Sequence, residues 1–169
     1  AWVKGRRVKV KLGIPYDIKM DFIISLKRLG NPKVNFINVG VPHVVVFVPD
    51  LEKVDVQGLG RAIRYHRRFS PAGTNVDFVA LQGRDSIHIR TYERGVEDET
   101  LACGTGAVAS ALISGLRGKV SSLVKVHTRG GETLTVEYGM ERNVKGREKF
   151  NAVWLEGEAT VVYTGEVEI

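Results

Sequence analysis

Cysteine is almost missing from this chain of 169 residues, because Cys103 is the only one. A single cysteine excludes an internal disulfide, and a chain without disulfides is typical of a reducing compartment. The sequence also lacks an apolar run of membrane-spanning length and the pattern of a signal peptide. We therefore expect a cytoplasmic protein that makes no contact with a membrane.

Motifs for metals and nucleic acids are missing as well. The four histidines, at positions 43, 66, 88 and 127, have no i, i+4 spacing, so we expect no metal. Basic residues outnumber acidic ones by 25 to 19, which gives a net charge of +6. Part of this excess alternates with valine and leucine over residues 7–12, which is typical of the solvated face of an edge strand. Without zinc spacing or an RNA-binding aromatic motif, the charge predicts a solvated basic surface and no nucleic-acid partner.

Hydrophobic periodicity predicts many short strands and two helices. We expect helices at residues 57–66 and 105–116, a loop at 141–149, and strands at 7–12, 34–39, 44–48, 75–81, 86–92, 123–128, 133–138, 152–155 and 160–163. The second helix has almost no polar face and should be buried on all sides. The sequence thus predicts an α+β fold, in which a mixed, largely antiparallel sheet wraps around a central buried helix.

The most informative segment is Leu101-Ala102-Cys103-Gly104-Thr105-Gly106-Ala107, where an acidic stretch runs into the apolar helix. A cysteine at a helix start faces the positive end of the helix dipole, which favours the thiolate. The free N–H groups that follow can hold a ligand carboxylate. This predicts acid–base chemistry beside a bound carboxylate, and a buried structural cysteine is the alternative.

The same glycines fit a second motif less well. Gly104-x-Gly106-x-x-Ala109 has the spacing of a dinucleotide-binding fingerprint. That fingerprint needs a strand directly before it and a carboxylate about 20 residues later. The predicted strand ends near residue 92 and the next strand ends without an acidic residue, so the sequence argues against a dinucleotide.

Four segments in order resemble the diaminopimelate epimerase family. Glu93-Arg94-Gly95, followed by Glu99-Thr100-Leu101-Ala102-Cys103-Gly104-Thr105-Gly106-Ala107, resembles the family's second catalytic half-site. Val39-Gly40-Val41-Pro42-His43 resembles its Gly-x-Pro-His turn, and Gly73-Thr74-Asn75-Val76-Asp77-Phe78 resembles one of its strands. The ending Val153-Trp154-Leu155-Glu156-Gly157-Glu158-Ala159 resembles its last core strands.

The resemblance implies half of a two-domain enzyme. Family members place two similar domains across a cleft, and each domain supplies one acid–base cysteine. Residues 1–169 resemble the C-terminal domain alone, so the N-terminal half with the other catalytic cysteine is absent from this chain. The implied reaction is cofactor-independent epimerisation of LL-2,6-diaminopimelate to the meso form, in lysine and peptidoglycan precursor synthesis. A homodimer is one assembly that the resemblance allows. A related amino-acid racemase and a non-catalytic amino-acid-binding domain are the alternatives.

The resemblance also implies a role for each site residue. Cys103 matches the acid–base cysteine, and Gly104 and Thr105 match the cradle for the reacting α-carboxylate. Glu93 matches the partner of the α-ammonium, and Arg94 matches the clamp on the distal carboxylate. The remaining matches are Asn75 as a distal hydrogen-bond partner and His43 as a histidine that lines the site. Val41 departs from the Asn that many members carry there, and Asn38 is the candidate replacement.

Overall fold

The structure, a computed structural model, describes residues 1–142 and 148–167. This part of the chain contains eleven strands: β1 (Trp2–Lys4), β2 (Arg7–Lys11), β3 (Tyr16–Ile23), β4 (Lys33–Asn38), β5 (Pro42–Phe47), β6 (Asn75–Leu81), β7 (Ser86–Glu93), β8 (Asp98–Thr100), β9 (Val124–His127), β10 (Thr133–Arg142) and β11 (Glu148–Glu158). It also contains the helices α1 (Val56–Arg64) and α2 (Gly104–Leu116) and a short 3₁₀ helix at Arg67–Phe69. Among these residues, no helix has both the length and the apolar character needed to span a membrane.

All eleven strands belong to one sheet. Their order is β1-β2-β11-β10-β9-β7-β6-β5-β4-β3, and β8 pairs with β7 beside this path. The pairs β5–β6 and β7–β9 are parallel, and the other pairs are antiparallel. The sheet is therefore mixed and largely antiparallel, as the sequence predicts.

Helix α2 lies at the centre of the molecule because it has no polar face to present to water. Every residue from 106 to 115 is buried, and the strands from β11 to β4 in the sheet order contact the helix. Full burial of a side chain such as Leu112 or Ile113 contributes about 1.5–3 kcal/mol. The prediction of a central buried helix is confirmed.

Helix α1 covers the other face of the sheet. Val76 and Phe78 on β6 pack in the core beside α1, whereas Val79 belongs to the core around α2. This split follows from the alternation of side chains along a strand. Asp55 caps α1, because its Oδ1 accepts a hydrogen bond from the N–H of Gly58 at 2.8 Å. On β6, Asp77 lies between Val76 and Phe78, whose side chains face α1, so the side chain of Asp77 faces α2.

Two strand predictions near the start of the chain need correction. Residues 7–11 form a strand, but β2 is not an edge strand, because β1 pairs with it on its outer side. Strand β3 was not predicted, since Asp17 and Asp21 adopt positive φ angles of 50° and 52° that interrupt the alternation. Strands β1 and β8 have three residues each, which is too short for a periodic signal.

The end of the chain also differs from the sequence prediction. Residues 160–163 were expected to form a strand, but residues 159–167 have no regular structure. Val161, Val162 and Tyr163 are 79–88% exposed, because no strand of the sheet pairs with this segment. Of the loop predicted at 141–149, residues 141–142 belong to β10 and residues 148–149 belong to β11, whereas residues 143–147 lie outside the described residues.

Candidate active site

The sheet register brings four polar side chains to the face that packs against α2. His43 pairs with Asn75 across β5 and β6, and Asp77 pairs with Thr91 across β6 and β7. Asn75 and Asp77 lie two residues apart on β6, so their side chains leave the same face. All four residues are buried. The first turn of α2, which begins after Cys103, packs directly on this group.

Cys103 is the N-cap residue of α2. Its backbone is extended, with φ −133° and ψ 109°, and its Sγ accepts a hydrogen bond from the N–H of Gly106 at 3.4 Å. The carbonyl oxygen of Cys103 accepts the first intrahelical bond from Ala107 at 2.9 Å. The sequence prediction that the thiol sits at the helix start is confirmed.

Burial nevertheless opposes ionisation of the thiol. Burial raises the pKa of Cys103 to about 11, and the negative charge of the Asp77 carboxylate adds to the rise. The hydrogen bonds from Thr105 and Gly106 lower this pKa by a smaller amount. This raised pKa runs against the expectation of a thiolate, because loss of solvation outweighs the favourable helix start.

A chain of hydrogen bonds connects the thiol to the carboxylate of Asp77. The Sγ of Cys103 lies 3.5 Å from Thr105 Oγ1, which lies 3.0 Å from His43 Nε2. The Nδ1 of His43 lies 2.7 Å from Asp77 Oδ2. Thr91 donates to the other carboxylate oxygen, Oδ1, at 2.8 Å. Three of the predicted site residues, Cys103, Thr105 and His43, thus meet in one network.

Gly104 and Thr105 occupy the first turn of α2. Their N–H groups come before the first intrahelical hydrogen bond, so they are the donors that a helix start leaves available. Both residues are half-buried, beside the buried Sγ of Cys103. This position suits the predicted cradle for a carboxylate.

The side chain of Asn75 is hydrogen-bonded to the backbone of Arg94. Asn75 Oδ1 accepts from the Arg94 N–H at 2.8 Å, and Asn75 Nδ2 donates to the carbonyl oxygen of Pro42 at 3.2 Å. The Arg94 guanidinium donates to the carbonyl oxygen of Ala72 at 3.2 Å. It also lines a surface pocket of about 310 Å³ together with Asn38 and Pro42.

Glu93 ends β7 and is half-buried close to α2. Its Oε2 accepts a hydrogen bond from Thr100 Oγ1 at 3.0 Å, which closes the acidic loop upon itself. The other two half-buried carboxylates of this loop pair with arginines: Glu97 with Arg64 at 2.9 Å and Glu99 with Arg90 at 2.7 Å. These pairs fix the loop that leads into Cys103.

The site does not suit a dinucleotide. A Cβ built at Gly106 would clash with the Asp77 carboxylate and lie 3.1 Å from Thr91 Oγ1. The glycine therefore makes room for a negative side chain, where a dinucleotide site needs room for a pyrophosphate. Within residues 1–142 and 148–167, no three His, Cys, Asp or Glu side chains come together to hold a metal ion.

Sequence reasoning missed Asp77 and Thr91 as members of the site. Both are at most 3% exposed, and Asp77 bonds directly to His43. The available signal was an aspartate within the apolar run Val76-Asp77-Phe78-Val79, because a buried carboxylate needs specific partners. The identity of those partners depends on the pairing of β5, β6 and β7, which no local pattern gives.

Comparison with known proteins agrees with this geometry. Residues 35–166 match the family model described as diaminopimelate epimerase. Proteins named diaminopimelate epimerase from Aquifex aeolicus (strain VF5) and Methanocella arvoryzae (strain DSM 22066 / NBRC 105507 / MRE50) are 47% and 38% identical over 96% of this chain. The aligned part covers 55% and 56% of those proteins, so the chain spans about half the length of the curated relatives it matches.

Solved structures share the fold at much lower identity. A probable proline racemase from Agrobacterium radiobacter K84 superposes with a TM-score of 0.75 at 16% identity, over 97% of this chain and 54% of that chain. A hydroxyproline epimerase from Agrobacterium vitis superposes with a TM-score of 0.67 at 18% identity, over 90% of this chain and 50% of that one. At such identities the similarity concerns the fold alone.

Proposed function

The chain belongs to the diaminopimelate epimerase family, and on this premise we propose that it supplies one half of an enzyme that interconverts LL- and meso-2,6-diaminopimelate. The reaction inverts one α-carbon in the cytoplasm without pyridoxal phosphate or a metal. Residues 1–169 act as the C-terminal domain, and an N-terminal half supplies the second acid–base cysteine. The product serves lysine and peptidoglycan precursor synthesis.

The single observation that carries this proposal is the position of Cys103 at the start of α2. Its Sγ sits beside the N–H groups of Gly104 and Thr105, which precede the first intrahelical hydrogen bond. A substrate α-carboxylate held by these donors brings its α-carbon within reach of the thiol. The same donors stabilise the negative charge that develops when the α-proton leaves.

When the reaction begins with Cys103 protonated, Cys103 is the proton donor. A base on the missing half removes the α-proton from one face, and the electron pair of the broken C–H bond stays on the carbon. The Cys103 S–H bond then breaks, its proton bonds to the opposite face, and Cys103 is left as a thiolate. The reverse direction starts from that thiolate, which removes the α-proton from its own face. One reaction in each direction therefore returns both cysteines to their original protonation states.

The remaining residues hold the two ends of the substrate. Glu93 receives the α-ammonium near the reacting carbon. Arg94 binds the distal carboxylate, for which a planar guanidinium is suited by its paired donors. Asn75 supports this end by holding the Arg94 backbone. The Asn38 amide, which lines the same pocket as Arg94, takes the place of the amide that Val41 lacks.

Exposed apolar side chains support a partner half. Leu101, two residues before Cys103, is 71% exposed. The segment with Val161, Val162 and Tyr163 is also exposed and apolar. Apolar surface next to a site favours an interface there, and the opposite wall of the cleft would cover it.

The test supplies the missing half as a fusion. The N-terminal half of the Aquifex aeolicus relative is placed ahead of Ala1, and ¹H NMR in D₂O follows conversion between LL- and meso-diaminopimelate. We expect deuterium at the inverted α-carbon, and we expect Cys103→Ala in the same fusion to lose at least about 10²-fold in turnover, since it removes the proton donor.

Three outcomes would contradict the proposal. Turnover that survives Cys103→Ala would remove Cys103 from the reaction. A fusion that inverts a different amino acid, such as proline, but leaves diaminopimelate unchanged would favour the related racemase. Binding of an amino acid without deuterium exchange would favour the non-catalytic binding domain.

A further inference from the structure

Asp77 is a fully buried carboxylate that the proposed reaction does not use. It lies on β6 between Val76 and Phe78, and its exposed fraction is zero. Burying a charge costs free energy unless the group is fully hydrogen-bonded. Both oxygens have partners: Oδ2 meets His43 Nδ1 at 2.7 Å, and Oδ1 accepts from Thr91 Oγ1 at 2.8 Å.

We infer that Asp77 is a positioning residue that fixes His43 in the tautomer with hydrogen on Nδ1, so that Nε2 faces the site as a proton acceptor. An ionised carboxylate only accepts hydrogen bonds, so the proton between Asp77 and His43 belongs to Nδ1. A neutral imidazole with hydrogen on Nδ1 carries its lone pair on Nε2. The assignment of this tautomer rests on geometry alone; its catalytic consequence rests on the proposed function.

The surroundings of Nε2 agree with this tautomer. Thr105 Oγ1 lies 3.0 Å away and can donate or accept, whereas Asn75 Nδ2 lies 3.4 Å away and can only donate. If the proton were on Nε2 instead, it would face the Asn75 amide nitrogen, and Nδ1 would face a carboxylate with no proton between them. The Asn75 amide on one side of the ring and the Asp77 carboxylate on the other therefore favour hydrogen on Nδ1.

The network gives the Cys103 proton a defined destination. The S–H proton of Cys103 moves to Thr105 Oγ1 as the Thr105 hydroxyl proton moves to His43 Nε2. One proton is thereby transferred, one S–H bond is lost and one N–H bond is gained. The products are a thiolate and an imidazolium, and the Asp77 carboxylate next to Nδ1 stabilises the imidazolium. This step prepares the thiolate that the reverse direction of the proposed reaction needs.

The Thr91 hydroxyl explains why an amide at position 77 would not replace the carboxylate. In Asp77→Asn, the single amide oxygen is drawn to the Thr91 hydroxyl, and the NH₂ group then faces His43 Nδ1. That arrangement needs a lone pair on Nδ1, so the proton moves to Nε2. Thr91→Val removes the hydroxyl but leaves the contact between Asp77 and His43, which makes it the matched control.

The first measurement is ¹⁵N NMR of the 169-residue chain with labelled histidine, and His43→Gln identifies the His43 signals. We expect His43 to carry hydrogen on Nδ1 in the wild type and in Thr91→Val, and on Nε2 in Asp77→Asn. Hydrogen on Nε2 in the wild type overturns the inference, and this result does not depend on whether any variant folds. An unchanged tautomer in folded Asp77→Asn overturns it as well.

The second measurement uses the fused enzyme with both halves. We expect Asp77→Asn to lower kcat by about 10²-fold with little change in KM. A flipped tautomer with unchanged kcat overturns the positioning role. If the expected tautomers are seen but the fused wild type does not epimerise, the proposed function fails and the assignment of Asp77 stands.

Discussion

At the residue scale, Cys103 shows two opposing effects on one thiol. The helix start offers N–H donors and a favourable dipole, and both stabilise a thiolate. The same position is only 6% exposed and lies near the Asp77 carboxylate, and both conditions disfavour a thiolate. Burial is the larger effect, so the pKa of the thiol is raised.

Alkylation measures this balance directly. Only the thiolate reacts with iodoacetamide, so the labelling rate rises as pH rises through the thiol pKa. We expect the inflection for the folded 169-residue chain near pH 11, because the pKa of Cys103 is raised to about 11. The same chain in concentrated urea should show an inflection near the ordinary value of about 8.5. An inflection near 8.5 in the folded chain would show that the thiol is not desolvated.

At the scale of elements, the start of α2 depends on the absence of a side chain at Gly106. Gly106 allows the Asp77 carboxylate to approach the first turn of the helix. Alanine is the better helix former by about 1 kcal/mol, so the helix alone would favour Ala. The sheet imposes glycine, because the buried carboxylate occupies the space of a Cβ.

Gly106→Ala therefore sets helix propensity against packing. The added Cβ meets Asp77 Oδ1 and Thr91 Oγ1, and neither side chain has free space to move, so we expect a net loss of about 1–3 kcal/mol in the free energy of unfolding. Gly104→Ala is the matched control, because its Cβ meets only the mobile end of Leu155 at 3.3 Å. Urea denaturation checks both. Equal stability in the two variants would mean that Asp77 does not pack on the first turn.

Elements with a strong period could be predicted from the sequence, and those whose form depends on distant partners could not. The apolar run of α2 and the strand Asn75–Leu81 were predicted almost to their ends, because their patterns are local. The segment at 160–163 has β-forming residues but no neighbouring strand, so it stays irregular. Asp77 was missed for a related reason, since its partners lie on three other elements.

At the scale of the whole molecule, the chain has its own buried cores, and under the proposed function it contributes one wall of a cleft. Helix α2 is enclosed by the sheet, and α1 covers a second core on the other face. These cores do not require a partner domain for their burial. Gly104 and Thr105, in contrast, are only half-buried, and under the proposed function one thiol serves one face of an α-carbon.

Folding and catalysis should therefore separate in the 169-residue chain. We expect cooperative unfolding in urea, as for a domain with its own core, but no α-proton exchange with diaminopimelate in D₂O. The chain lacks a second acid–base group and the opposite wall that excludes water from the carbanion. The fusion that carries the N-terminal half is the matched comparison, because it contains the same Cys103 network and adds only the missing wall and thiol. Exchange by the isolated chain at a rate close to that of the fusion would show that one cysteine is sufficient, and a two-cysteine reaction would then have to be abandoned.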